Sequence, residues 1–148
     1  MRRLRRGFSS VIGIRAETYV DSFLVNAADI TTSHSAPLAL VAAPGLNKAI
    51  QLTRAIVQFR YGTVQFTGGG ALSFVYHGAT VNLLSGTVAA ATIQAAANAV
   101  VSPGAQAAAL VLTPNVGIDW LAATADFAAG DSTAVLTLFY TVYELKQN

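Results

Sequence analysis

The hydrophobic residues of segment 48–76 alternate with polar ones as in β-strands, but the alternation changes phase once. Ile50 and Leu52 occupy even positions, whereas the hydrophobic residues beyond Arg54 occupy odd positions: Ala55, Val57, Phe59 and Tyr61. Successive side chains of a strand point to opposite faces, so the phase change predicts a β-bulge, a sharp bend or a passage between two sheets near residues 53–56. These features are typical of sandwiches and barrels, and we take an all-β sandwich as the predicted fold class.

The rest of the chain contains further strand-like segments separated by turn residues. Alternation predicts strands at residues 19–25, 28–33, 36–43, 107–112, 116–120 and 133–145, with a Pro-Gly turn at 44–47 and a hairpin loop at glycines 68–70. The final strand is hydrophobic on both faces, so it is either covered on both sides or gives one face to a contact between subunits. Phe139, Tyr140 and Tyr143 are the candidate subunit contacts.

Residues 88–101 follow a helical spacing instead, with hydrophobic residues at Ile93, Ala96, Ala97 and Val100. Thr87 is a candidate N-cap, and the Ser-Pro-Gly sequence at 102–104 would end the helix. The sequence therefore predicts one short helix inserted among the strands.

The composition is unusually poor in charge. Charged residues make up 11% of the 148 residues, against roughly 25% in typical soluble domains, and 53% are hydrophobic. A surface of this kind is commonly covered by partner proteins, which favours a subunit of an assembly over a solitary enzyme. The most hydrophobic window, 86–112, is interrupted by polar residues and Pro-Gly, so no contact with a membrane is predicted. No cysteine is present, which excludes disulfides and thiolate chemistry.

The positive charge is concentrated at the N-terminus. Residues 1–16 form a predicted basic arm, whose candidate partner-binding residues are Arg2, Arg3, Arg5, Arg6, Phe8 and Arg15. Residues from 16 onward carry four basic and seven acidic side chains, a net charge of −3, and 17–148 are the predicted β-sandwich domain. Guanidinium groups bind carboxylates in bidentate geometry, so an acidic protein surface is the expected partner of the arm. Nucleic acid is the less favoured alternative, since Phe8 alone is available to stack on bases.

Candidate catalytic and metal-binding residues are few. His34 and His77 lack the spaced partners of a metal site, and Asp119, Asp126 and Asp131 do not have the spacing of a calcium loop. An enzyme such as a glycoside hydrolase would need two of these carboxylates facing each other across a groove. We therefore expect no catalytic residue, metal, cofactor or small-molecule substrate.

Four segments of the chain resemble a known family. They are Ala-Pro-Leu-Ala-Leu-Val-Ala-Ala-Pro-Gly-Leu-Asn-Lys-Ala-Ile at 36–50, Tyr-Gly-Thr at 61–63, Gly-Gly-Gly-Ala-Leu at 68–72, and Gly-Asp-Ser-Thr-Ala-Val-Leu-Thr-Leu-Phe-Tyr-Thr-Val-Tyr at 130–143. Through them, residues 19–145 resemble the small jelly-roll structural proteins of tailed bacteriophages, which occur as cement or decoration proteins on capsids. The resemblance implies a jelly-roll-like β-sandwich of about eight strands that clamps neighbouring copies of the major capsid protein. It implies no catalytic residues, and the basic arm is not part of the family's pattern.

The expected function is therefore that of a capsid cement or decoration protein of a tailed phage. It would bind the assembled shell, on the outer surface rather than the inner one, and form a dimer or trimer through hydrophobic faces of its domain. The alternative is a tail, baseplate or fibre module whose loops at 67–70 and 80–86 contact the host or neighbouring tail proteins.

Overall fold

A computed structural model of the chain describes residues 15–79, 83–104, 106 and 110–145, and over these residues the protein is an all-β sandwich with two short helices. This confirms the predicted fold class. The elements are β1 (Arg15–Val25), α1 (Ala27–Thr31), β2 (Leu38–Val41), β3 (Lys48–Arg60), β4 (Thr67–Gly68), β5 (Leu72–Tyr76), α2 (Ala90–Ile93), β6 (Ala99–Val101), β7 (Ile118–Ala122), β8 (Phe127–Ala128) and β9 (Thr133–Glu144). The predicted arm residues Arg2, Arg3, Arg5, Arg6 and Phe8 lie outside the described residues.

The strands form two main antiparallel sheets and one small one. The larger sheet has the order β1-β9-β3-β6, the second has the order β2-β7-β5, and β4 pairs with β8. Isolated bridges from Leu83 to Val75 and from Val88 to Leu72 place segment 83–88 beside β5. Successive long strands alternate between the two main sheets. The predicted hairpin at glycines 68–70 is therefore wrong, because β3 and β5, which flank it, lie in different sheets.

A β-bulge in β3 accounts for the phase change seen in the sequence. The register between β3 and β9 shifts between Leu52 and Arg54, which leaves Thr53 as the extra residue. The Thr53 hydroxyl donates a hydrogen bond of 2.7 Å to the Phe139 carbonyl oxygen. The bulge keeps the even-numbered Ile50 and Leu52 on the same face as the odd-numbered hydrophobic residues after it. Ile50, Leu52, Ala55, Val57 and Phe59 thus reach the core. Tyr61 lies beyond the end of β3 and is half-buried, and its hydroxyl donates a hydrogen bond of 2.9 Å to the Thr63 carbonyl oxygen.

The core lies between the two main sheets and contains the largest side chains of the chain. Both sheets contribute fully buried residues, among them Ile50, Val57, Leu72, Phe74, Ile118, Trp120, Leu136 and Leu138. The rings of Phe59 and Trp120 meet across the core, with centroids 6.4 Å apart. In the described part of the chain, no helix is long and apolar enough to cross a membrane.

The strand predicted at 28–33 is wrong, because this segment forms helix α1. The Asn26 side chain accepts a hydrogen bond from the Asp29 backbone N–H at 2.9 Å, and Asp29 accepts one from the Asn26 N–H at 3.2 Å. This reciprocal pair is a capping box, which satisfies donors that a helix start leaves free. The helix buries Ile30 in the core.

The helix predicted over 88–101 is mostly wrong. Only Ala90–Ile93 is helical. Its N-cap is Ala89 and not the predicted Thr87, and the cap residue makes no side-chain hydrogen bond. Val88 is instead bridged to Leu72. Residues 99–101 form β6, which pairs with β3 at the edge of the larger sheet. The strand predicted at 107–112 is also absent at 110–112, and 107–109 lie outside the described residues.

Deletion of Thr53 is expected to lower the free energy of unfolding by about 3–6 kcal/mol. With one residue fewer, Ile50 and Leu52 would point away from the core, and burial of each such side chain is worth about 1.5–3 kcal/mol. The substitution Thr53→Ala keeps the chain length and removes only the hydrogen bond to Phe139, at a cost of about 1 kcal/mol. Urea unfolding of both variants measures the difference. A deletion no costlier than the substitution would show that the bulge does not set the register.

Candidate functional site

Strand β9 lies between β1 and β3, so its two faces define two different surfaces. Its even-numbered residues from Ala134 to Tyr140 are buried, whereas the odd-numbered ones from Thr133 to Phe139 are partly exposed. Partners in register share a face across the sheet. We call the surface on the odd side of β9 the outer face. It comprises Ala16, Thr18, Val20, Ser22 and Leu24 of β1, Thr133, Val135, Thr137, Phe139, Thr141 and Tyr143 of β9, Ala49, Gln51, Arg54, Ile56, Gln58 and Arg60 of β3, and Val100 of β6.

The outer face mixes hydrophobic with uncharged polar side chains and is nearly free of charge. Val20, Leu24 and Val100 are 56%, 75% and 67% exposed. Among the described residues on this face, the charged side chains are Arg54 and Arg60, and none is acidic. Such a face loses little hydration when another protein covers it. It also carries a weakly positive potential, which favours an acidic partner.

Polar groups on the outer face are largely satisfied within the chain. The Ser22 and Thr137 hydroxyls lie 3.0 Å apart across β1 and β9. The Arg54 guanidinium lies 5.7 Å from the centroid of the Phe139 ring, close enough for a cation–π contact. The Tyr143 hydroxyl donates a hydrogen bond of 3.0 Å to the Gln51 side-chain oxygen. A partner could therefore cover the Ser22–Thr137 and Tyr143–Gln51 pairs without leaving them unpaired, whereas the Arg54 guanidinium would need an acidic group of the partner.

The three predicted subunit contacts fall on two different surfaces. Phe139 and Tyr143 lie on the outer face and are half-buried, so both are available to a neighbour. Tyr140 points to the other side of β9 and is only 6% exposed. Its ring stacks on Tyr19 with centroids 5.4 Å apart, and its hydroxyl donates a hydrogen bond of 2.6 Å to Asp21. Burial and the nearby Asp21 carboxylate raise the pKa of Tyr140. The structure thus places Tyr140 inside the protein's own fold rather than at a contact between subunits.

Tyr140 also lines a groove between β1, β3 and the loop after β2. The groove has a volume of about 220 Å³ and is lined by charges of both signs: Arg15, Glu17, Lys48 and Glu144. The Tyr19 hydroxyl donates a 2.5 Å hydrogen bond to Glu17, and this bond raises the pKa of Tyr19. Arg15 is the one predicted partner-binding residue of the arm within the described chain, and it is exposed here at the first position of β1. Residues 15 and 16 thus belong to a strand of the sandwich and not to the arm predicted at 1–16.

A histidine–aspartate pair lies in a second cavity, of about 310 Å³, beside β7. His77 Nδ1 lies 2.8 Å from one Asp119 carboxylate oxygen and 3.1 Å from the other. The His77 side chain is 71% exposed, whereas that of Asp119 is 4% exposed. Such a pair orients an imidazole as a general acid or base, and covalent catalysis of the triad kind would also need a nucleophilic side chain. Among the described residues that line this cavity there is no serine, threonine, cysteine or lysine. In the described part of the chain, no group of three His, Cys, Asp or Glu residues could hold a metal ion.

The other two candidate aspartates hold loops together. Asp126 accepts hydrogen bonds from the backbone N–H groups of His34 and Ser35, both at 2.9 Å. Asp131 accepts from the backbone N–H groups of Thr63 and Val64 and from the Thr63 hydroxyl, at 2.7–2.9 Å. The pKa of Asp126 is lowered mainly by a hydrogen bond from the Ser35 side chain. The pKa of Asp131 is lowered mainly by a hydrogen bond from the Thr63 side chain. Asp119, Asp126 and Asp131 therefore bond to three separate sets of partners.

Comparison of the sequence with protein-family models gave no match, and comparison with curated proteins gave no significant match. We therefore infer the function from the chemistry of the surfaces described above.

Replacing Asp131 by asparagine is expected to destabilise the protein in a pH-dependent way. A carboxylate whose pKa is lowered on folding contributes stability above its unfolded pKa, and this contribution is lost as the pH falls through the lower, folded pKa. The stability difference between the wild type and D131N should therefore be largest above about pH 5 and shrink below about pH 4. Urea unfolding at pH 7, 5 and 3 measures it. An equal difference at pH 7 and pH 3 would contradict the assigned role.

The substitution His77→Ala is expected to lower the free energy of unfolding by about 1–3 kcal/mol, because it leaves the buried Asp119 carboxylate without this partner. Because His77 is itself largely exposed, the lower end of that range is expected. Asp119→Asn alone, and the two substitutions together, complete a double-mutant cycle measured by thermal or urea unfolding. Strictly additive effects would mean that the two side chains do not interact in solution.

Proposed function

We propose that this protein is a structural protein of a tailed-phage particle, a cement or decoration protein that binds and stabilises the shell of major capsid protein. The observation that carries the proposal is the outer face. It is a broad sheet surface with exposed hydrophobic residues, two arginines and no acidic side chain among its described positions. A free monomer would leave this surface in water, whereas a shell would cover it.

The strand order supports a finer classification. We propose that the sandwich is a jelly roll, in which eight strands alternate between two sheets through two Greek keys. The orders β1-β9-β3-β6 and β2-β7-β5, with segment 83–88 beside β5, are those expected of such a fold. The resemblance of residues 19–145 to phage cement and decoration proteins agrees with it. Because one fold serves many functions, the functional proposal still depends on the outer face rather than on the fold.

The mechanism follows from mass action. A protein that binds the assembled shell and not the separated capsid subunits shifts the equilibrium toward the shell. Hydrophobic residues of the outer face would supply the buried area, and Arg54 and Arg60 would pair with acidic side chains of the neighbour. The basic arm would lie across an adjacent subunit and add a second point of attachment, which raises the effective concentration of the first.

The test is binding of the purified chain to empty shells assembled from the major capsid protein of the same genome. The variant Leu24→Glu should bind at least about tenfold more weakly, because it buries an unpaired charge in the contact. The matched control is Leu46→Glu, which makes the same change at a residue that is 81% exposed and lies outside the outer face. Co-sedimentation over a range of protein concentrations measures both variants.

Three outcomes would count against the proposal. Equal binding of the two variants would remove the outer face from the contact. A wild-type chain that does not bind the shell would overturn the cement function. Saturation at a few copies per particle, rather than over the whole shell, would indicate a position in the tail, baseplate or fibre.

A further inference from the structure

Strand β1 is more exposed to solvent than the other two long strands of its sheet, β3 and β9. It is 11 residues long, and every residue from Arg15 to Ser22 is exposed on whichever face it points to. Its only strand partner among the described residues is β9. The opposite edge of β1 therefore presents a row of backbone N–H and C=O groups that another strand could pair with.

The side chains of β1 are suited to pairing with a second β1. The groove side carries Arg15, Glu17, Tyr19 and Asp21, and the outer-face side carries uncharged residues. Antiparallel pairing of two identical strands has a two-fold axis that passes between two copies of one residue. With the axis at Thr18, Arg15 of each copy faces Asp21 of the other, and Glu17 faces Tyr19. By symmetry, each of these favourable cross-strand pairs occurs twice.

Neighbouring registers are less favourable. An axis at Tyr19 would place Glu17 opposite Asp21, and an axis at Glu17 or at Asp21 would place that carboxylate opposite its own copy. Like charges directly opposite each other on a sheet are destabilising. An axis at Val20 avoids repulsion but leaves Arg15 opposite a hydrophobic residue. Among the registers that pair seven or more of the described residues of β1, the one at Thr18 alone pairs Arg15 with an acid.

We propose that two copies of this chain join edge to edge through β1, antiparallel, around a two-fold axis at Thr18. The two four-stranded sheets would then form one continuous sheet. The outer faces of the two copies would become a single surface, with Val20 of each copy opposite Ala16 of the other. This pairing is a property of the chain alone, so it stands or falls independently of binding to a shell.

A cysteine scan of β1 tests both the edge and the register. The chain has no cysteine, so each variant carries one thiol. In T18C the two thiols face each other across the axis, with Cα atoms about 4.5–5.5 Å apart, which is within the range for a disulfide. In the control V20C, on the same face of the same strand, the two Cα atoms would lie about 14 Å apart along the strands, too far for one.

We expect T18C to form a disulfide-linked dimer under mild oxidation at least about tenfold faster than V20C at the same protein concentration. Non-reducing electrophoresis measures the rates, and circular dichroism checks that both variants are folded. Equal rates would overturn the proposed edge, and faster cross-linking of V20C would overturn the register.

Charge exchange provides a second measurement that does not depend on oxidation. Because Arg15→Asp replaces two attractive pairs by two repulsive ones, it should raise the dissociation constant of the dimer by about tenfold. The double variant Arg15→Asp with Asp21→Arg should restore it. Sedimentation equilibrium of the full chain measures both constants. A double variant that stays as weak as the single one, or a wild type that is monomeric at all concentrations, would overturn the proposal.

Discussion

The pairing of β3 with β9 is the constraint on which the rest of the structure depends. It runs the full length of β3, from Lys48 opposite Glu144 to Arg60 opposite Thr133, and one bulge at Thr53 keeps both halves of β3 in phase with the core. β9 is thereby central, with β1 on its other edge, and its two faces serve different purposes. The even positions complete the core, and the odd positions form the outer face. A single inserted residue thus decides which surface of the sheet is left for partners.

The sequence predicted those parts of the fold that depend on local periodicity. The phase change predicts a bulge, a sharp bend or a passage between sheets near residues 53–56, and the structure has the bulge. The doubly hydrophobic segment at 133–145 predicts β9. Alanine-rich spacing misled at 88–101, because pairing of residues 99–101 with the edge of β3 outweighs a weak helical preference. Helix α1 did leave a local signal, the spacing of Asn26 and Asp29 typical of a capping box. The predicted strand at 28–33 rests on the alternation of the residues that follow and does not take this signal into account.

The surfaces were harder to predict than the strands, because they depend on which strands become neighbours. His77 and Asp119 are 42 residues apart and meet only because β5 pairs with β7. The sequence assigns no role to the aspartates at 126 and 131, whereas in the structure each ties its own loop to a loop distant in the sequence. Phe139 could be assigned to a surface from its position in β9. The lack of acidic residues on the outer face became visible only when β1, β3 and β6 were placed around it.

The molecule is thus a sandwich whose larger sheet turns a face poor in charge toward solvent and, among the described residues, leaves one edge of β1 without a strand partner. Both features have a simple explanation if the chain works as a subunit of a larger assembly. A reconstruction of the phage particle at side-chain resolution tests this most directly. The account predicts copies of the chain over the shell, with the outer face of the β1-β9-β3-β6 sheet packed against a neighbouring subunit. Particles in which that face is open to solvent, or in which the chain is absent, would contradict it.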